Sequence, residues 1–168
     1  TKAGEILKLN WSSSQLRTIL GASNDAELAE MVKQLQTMWG DAMHGVPLMV
    51  NYGVKKDNGK EKNYVFVSNN GGMLHIIDTE DGKEVAAFLP HEIFKNVKKF
   101  TVERPSLRFD NTRQIYGLDG SWVAWRKTTK TAKPSDKPEA VYIYGGMRRG
   151  GKHYYALDVT EPTQPKIK

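Results

Sequence analysis

The chain has 168 residues, 39% of them hydrophobic and 26% charged, which is an ordinary globular composition with enough length for one domain and a sizeable core. No apolar run approaches the roughly 20 residues of a membrane helix, so no membrane span is expected, and the absence of cysteine excludes disulfides and thiolate chemistry. The formal net charge is +6, and it is uneven: residues 101–168 carry 13 basic and 7 acidic side chains, while the two preceding stretches of fifty are nearly balanced.

The first 40 residues read as a helical leader. Ser12 to Ser14 offer N-caps for a short helix holding Leu16, Ile19 and Leu20, and Gly21 can close it. Asn24 caps a second helix, in which Leu28, Met31, Val32, Leu35, Met38 and Trp39 form one apolar stripe that Gly40 ends. Met residues and a Trp in such a stripe read as core, so the leader is expected to pack against the β-rich remainder of the chain.

From Val46 the period changes to two. Residues 47–52, 64–67, 73–77 and 84–89 predict four strands, the last stopped by Pro90. Asn69-Asn70-Gly71-Gly72 marks a hairpin turn, and residues 78–82 mark a second, in which Asp78 can accept backbone amides and Gly82 can take the left-handed conformation. Four antiparallel strands within residues 46–90 are the size of one propeller blade. After an irregular stretch (91–113) the pattern repeats over residues 115–168. A first strand is expected over 115–126, then a polar Lys/Pro/Ser loop over 128–138 and a strand over 141–144. A glycine-rich turn over 145–151 leads to a strand over 153–157, in which His153 is placed level with His75. Asp158 opens a turn as Asp78 does, and the fourth strand is due only at Lys168. The predicted fold is therefore mainly β, a partial propeller of about two four-stranded, quinoprotein-like blades (46–90, and 115–168, incomplete) within 41–168, preceded by the helical segment. A ring needs about four to eight blades, and the chain starts without Met or signal peptide, so it reads as part of a longer protein.

The chemistry-bearing residues give no catalytic set. His44, His75, His91 and His153 include no i, i+4 pair, and there is no Cys to complete a zinc site. Ser121 lacks a nucleophile elbow. Asp41, Asp78, Asp119 and Asp158 sit at turns, where turn-forming is the default role. The Gly145–Gly151 run holds Arg148 and Arg149, but a phosphate cradle must open a helix and β-rich Tyr154-Tyr155 comes next, so a hairpin with exposed arginines is the expected form. Trp122 and Trp125 are three apart in a strand and should point to opposite faces, one of them free for adhesion or packed between blades. The basic last third could bind a polyanion, but no aromatic-basic module accompanies it, so no specific nucleic acid is expected and a solvated face is preferred.

Four segments resemble a known family. Gly40-Asp41-Ala42-Met43-His44-Gly45-Val46-Pro47 looks like the segment that opens the propeller in PilY/PilC-type proteins of type IV pili. Asn70-Gly71-Gly72-Met73-Leu74-His75 resembles their Asn-Asp-Gly-Met-Leu-His turn, with Gly71 where the family usually has Asp. Tyr116-Gly117-Leu118-Asp119-Gly120-Ser121 is similar to a third family segment. So is the run over 145–160, with Gly146, Met147, Arg148, Arg149, Gly150, Tyr155 and Asp158. The resemblance covers about residues 40–168. It implies a large, secreted pilus biogenesis factor and tip adhesin of a Gram-negative bacterium, passing through the periplasm. Its propeller would support pilus extension against retraction without catalysis. Implied partners are minor and major pilins, the remainder of the propeller, and a host-cell or abiotic surface. The family's Asp-x-Asp-x-Asp/Asn calcium loop is expected downstream of Lys168, and no cofactor or metal ligand is carried over to these residues. Within the family motif His44 is expected to donate to a backbone carbonyl between helix and blade. A quinoprotein-like oxidoreductase blade is the alternative of another class, because quinone dehydrogenases use the same kind of blade and fold alone does not give function.

Overall fold

The computed structural model describes residues 12–37, 39–54, 58–102, 115–133 and 136–168. Helix α1 (Ser13–Leu20) starts on a capping box: the Gln15 amide donates to Ser12 Oγ, and the Ser12 amide donates to Gln15 Oε1 at 2.9 Å. It ends at Gly21, whose φ of 72° is left-handed. Helix α2 (Asp25–Thr37) begins on Asn24, whose Oδ1 accepts the Glu27 amide at 2.9 Å. Hydrogen bonds from the Ser23 amide and Lys98 hold the Glu27 carboxyl down to about 2. Leu20, Leu28, Met31 and Leu35 are buried and join one core with the strands, so the described part of the leader packs on the β-rich part of the chain; residues 1–11 lie outside the described residues. Met38 lies outside the described residues. Trp39 corrects the sequence reading: it is 58% exposed.

Beyond the helices lie two four-stranded antiparallel sheets, each in strict chain order. The first is β1 (Leu48–Val54), β2 (Glu61–Ser68), β3 (Leu74–Asp78) and β4 (Glu84–Phe88); the second is β5 (Trp122–Lys127), β6 (Ala140–Gly146), β7 (Tyr154–Asp158) and β8 (Lys166–Ile167). This is the two-blade repeat expected from the sequence, with several differences. Residues 115–121 form no strand, because Gly117 and Gly120 sit against other backbone and the first strand begins only at Trp122. The stretch after Pro90 is not irregular throughout: a 3-10 turn (His91–Ile93) runs into α3 (Phe94–Phe100), which buries Ile93 and Val97. Residues 103–113 lie outside the described set. The fourth strand of the second sheet begins at Lys166, two residues before the expected place.

Register fixes the faces, since side chains alternate along a strand and cross-strand partners share a side. In the first sheet Val50 pairs with Tyr64, and Tyr64 with Asp78; Phe66 pairs with Ile76, and Leu74 with Phe88. These residues form one face, and its apolar members Val50, Tyr64, Phe66, Leu74 and Ile76 are buried. In the second sheet Trp122, Val141, Ile143, Tyr155 and Leu157 share a face. The two faces meet. The Phe88 and Tyr155 rings form an edge contact at 5.5 Å, and the buried Tyr52 hydroxyl donates to the Val159 carbonyl at 2.6 Å. Trp122 is buried and Trp125 exposed, on opposite faces as their spacing predicts.

Some of the basic side chains of the last third are paired, Lys127 with Glu139, Lys137 with Glu161 and Lys168 with Asp158; these pairs leave the net basic excess of residues 101–168 in place. Among the described residues no helix is long and apolar enough to cross a membrane.

Candidate functional site: a glycine seam around a buried aspartate

The ends of the two sheets meet along a seam in which backbone lies against backbone. A Cβ on Gly40 would overlap Gly71, one on Gly117 would overlap Gly72, one on Gly120 would overlap the Gly146 carbonyl, and one on Gly150 would overlap the Gly117 carbonyl. Hydrogen bonds stitch the seam: Leu118 N to Asn69 O at 3.0 Å, Asp119 N to Met147 O at 3.3 Å, Asn70 N to Asp41 O at 2.9 Å, and Ser68 Oγ to Gly120 O at 2.7 Å. Glycine is required there by space, and at Gly72 also by its φ of 93°.

Asp119 is the polar centre of the seam. Its side chain is 1% exposed and accepts His44 Nδ1 at 2.7 Å and Arg148 Nη1 at 3.4 Å, with Arg149 Nε at 3.8 Å. A carboxylate only accepts, so the His44 proton is on Nδ1. Arg148 reaches this position from a φ of 52°, left-handed for a non-glycine residue, a backbone cost that the seam must offset. His44 thus joins the segment before β1 to the second sheet through a carboxylate, and its Nδ1 meets Asp119 where a backbone carbonyl is expected from the sequence. The arginines of the Gly145–Gly151 run are half exposed but turned to Asp119. The run itself passes from β6 through a 3-10 turn (Arg148–Gly150) to β7, so it is a strand connection as expected. Gly145 and Gly146 belong to β6, where they seat rings: a Cβ on Gly145 would enter the Trp122 ring, and one on Gly146 would lie 2.8 Å from Tyr154.

The remaining motif residues divide by place. Met147 is buried in the seam and Met73 is buried beside it, its carbonyl accepting the Asn69 amide. Asp41 lends its carbonyl and Pro47 is exposed. Asp78 and Asp158 hold turns at the far ends of β3 and β7, each accepting the amide two residues on, from Glu80 and Thr160. Burial raises the Asp78 carboxyl, but the Lys62 ammonium bound to it brings it below its usual value; the Thr160 hydroxyl lowers Asp158. His75 is buried, donating Nδ1–H to Glu84 at 2.5 Å and accepting from Asn69 Nδ2 at 2.7 Å, with Trp39 stacked on its ring at 4.3 Å. The register places Tyr155, not His153, level with His75, since Asp78 and Asp158 face Tyr64 and Tyr142 in the same way. His153 is exposed, before the strand begins, so the expected repeated histidine role fails by two residues. Tyr155 donates to Glu92, at the start of the helical insert.

Sequence reading missed Asn69, Tyr52, Ser68 and Glu92. The first two gave a usable signal: a second Asn in a glycine turn that already has its left-handed glycine, and a strand Tyr with a hydroxyl to satisfy. Ser121 Oγ accepts the Val46 amide at 3.1 Å, a fastening contact.

With two guanidinium groups and the His44 N–H on Asp119, the arrangement neutralises and holds that carboxylate. Among the described residues no group of three or more His, Asp or Glu side chains is placed to hold a metal ion. Asp78 and Asp158 each lie against a lysine ammonium group, which competes with a cation for the carboxylate.

Comparison with known proteins gives the family. The family described as PilY1 beta-propeller domain matches residues 40–167. The chain is 34% identical over 111 residues to the type IV pilus biogenesis factor PilY1 of Pseudomonas aeruginosa strain PAO1, covering 61% of the chain and 8% of that protein. It is 28% identical over 105 residues to a PilY1 homolog of Xylella fastidiosa, covering 61% and 8%. To PilY1 of Pseudomonas aeruginosa strain UCBPP-PA14 it is 26% identical over 153 residues, covering 80% and 12%. The chain thus spans about a tenth of the length of these curated relatives, which are named as biogenesis factors and not as enzymes. No solved structure matches it. Two blades in chain order, locked by a glycine seam built from the segments that carry the motif, belong with this match: the chain is a member of the PilY1 β-propeller domain family, whose named relatives serve type IV pili.

Proposed function

We propose that the chain is a non-catalytic propeller module of a secreted type IV pilus biogenesis factor and tip adhesin, supporting pilus extension against retraction and surface attachment. One observation carries the non-catalytic part: Asp119, the most buried carboxylate of the motif segments, is taken up by His44, Arg148 and Arg149 in joining two blades. Partners on this reading are pilins and the remainder of the propeller, at the pilus tip on a Gram-negative cell surface, with any calcium held elsewhere in the longer protein. The test is deletion of the parent gene in the source bacterium. Sheared surface pili should fall and attachment weaken, and both should return with the intact gene but not with one lacking residues 40–168. Unchanged piliation and attachment would remove the reading. Quinone-dependent dye reduction by the intact protein would move it to the oxidoreductase class.

A further inference from the structure

The seam uses the two arginines of the Gly145–Gly151 run only in part. Asp119 gives its shortest bond, at 2.7 Å, to His44 on Oδ1, and both arginines approach the other oxygen, Oδ2. Arg148 Nη1 reaches it at 3.4 Å, while Arg149 Nε stands at 3.8 Å, outside hydrogen-bond distance. The two side chains stay 52% and 47% exposed. Two guanidinium groups thus crowd one carboxylate oxygen, and their combined charge exceeds that of Asp119. A guanidinium carries five N–H donors, so most of this donor capacity faces solvent. Arg149 is nonetheless held: its Nη1 donates to the Tyr116 hydroxyl at 2.9 Å, and its guanidinium lies 5.0 Å from the Tyr116 ring centre.

The backbone gives an independent sign. Arg148 takes a φ of 52° in a run that also holds Gly145, Gly146, Gly150 and Gly151. A glycine would adopt that conformation without strain. Strain kept in order to present a charged side chain is a mark of a functional position. Charge is also distributed unequally along the second sheet. At the end away from the seam Lys127 pairs with Glu139, Lys137 with Glu161 and Lys168 with Asp158. At the seam end two arginines share Asp119, and Lys152 stands exposed in the same connection.

We propose that the Arg148–Arg149 corner docks an acidic segment of a protein partner, whose side-chain carboxylates complete the neutralisation that Asp119 begins. The planar guanidinium fork fits a carboxylate with two parallel bonds, and the Tyr116 ring beneath Arg149 keeps one fork in place. The confined site selects a short acidic segment over a long polyanion. A polyanion laid along the sheet would run into Glu139 and Glu161 at the far end.

The test uses the full-length protein and a fluorescently labelled hexaglutamate peptide, read by anisotropy at low salt. Arg148→Gly suits the left-handed backbone, so it should remove the cation and keep the fold, with an unchanged thermal midpoint. It should weaken peptide binding roughly fivefold, as should Arg149→Gln. Arg149→Lys keeps the charge and should recover part of the loss. Lys130→Gln, an exposed change in the β5–β6 loop, should leave binding unchanged. The difference between wild type and the arginine variants should vanish in about 1 M salt, where screening acts within about 3 Å. Equal binding by wild type, Arg148→Gly and Arg149→Gln would overturn the proposal, and so would an equal loss in Lys130→Gln. Tighter binding of a heparin hexasaccharide or of inorganic phosphate through the same arginines would overturn the acidic-segment assignment. Neither anisotropy nor the thermal midpoint involves piliation, so failure here leaves the proposed function standing, and the reverse also holds.

Discussion

Replacing Asp119 by Asn keeps the shape of the side chain and removes its charge, which isolates what the seam gains from that carboxylate. His44 donates to it at 2.7 Å beside a carboxylate that is 1% exposed, so this bond is of the charge-assisted, part-buried kind, worth about 1.5–3 kcal/mol. Arg148 and Arg149 are about half exposed at 3.4 and 3.8 Å, so water and salt reduce their share to about 0.5 kcal/mol each. An amide retains part of the His44 bond, which puts the expected loss for Asp119→Asn at about 2 kcal/mol. For Asp119→Ala, which also opens a cavity and strands the cations, the loss should be about 3–4 kcal/mol. Urea denaturation followed by tryptophan fluorescence reads this directly, as a fall in midpoint of about 1 M for Asp119→Asn at an ordinary slope. The double variant with His44→Ala should lose less than the two single losses combined, by about 1 kcal/mol. A loss below about 0.5 kcal/mol for Asp119→Asn, or strict additivity with His44→Ala, would refute the view that this carboxylate fastens the blades.

Gly117→Ala should cost at least about 3 kcal/mol, because its Cβ meets backbone that no rotamer change can move. Gly82→Ala, at φ 70° with open space around it, should cost only about 1 kcal/mol. Equal losses in thermal or urea unfolding would refute the steric account. Tyr52→Phe removes the donor to the Val159 carbonyl and should lower stability by about 1–2 kcal/mol, and a neutral result would show that water replaces it. The Thr160 hydroxyl lowers the Asp158 carboxyl in the folded chain, so Asp158 stabilises above its unfolded value and loses that contribution as pH falls through the folded one. The stability gap between wild type and Asp158→Asn should therefore be largest near neutral pH and close in acid; urea midpoints across the acid range check this, and a constant gap would refute it.

Local signals read well where the cause is local. The Ser12 cap, the Asn24 cap and Gly21 act within one turn of helix, and Gly82 and Asp78 act within one hairpin, so composition and spacing sufficed for these. The helical insert over 91–100 escaped because its seven-residue α-helix is held by burying Ile93 and Val97, with no side-chain cap at its start. Trp39 looked like core by periodicity, but the described helix ends at Thr37 and the ring turns onto His75 instead. Asp119 was legible as a motif residue and as a turn former. Its role was not, because its partner His44 is 75 residues away and only the tertiary seam brings them together. The glycines of β6 suggested only a turn; their use as seats for Trp122 and Tyr154 depends on neighbours no one-dimensional pattern shows.

The glycine seam also sets how the two sheets respond to load. Side-chain interfaces yield by rotamer changes, a gradual compliance spread over many soft contacts. Here main chain rests on main chain, with Leu118 and Asp119 amides bonded across the joint. A change in the angle between the blades must therefore break hydrogen bonds or bend covalent geometry. The pair behaves as a stiff bracket, passing tension from one sheet to the next with little give until the joint fails as a unit.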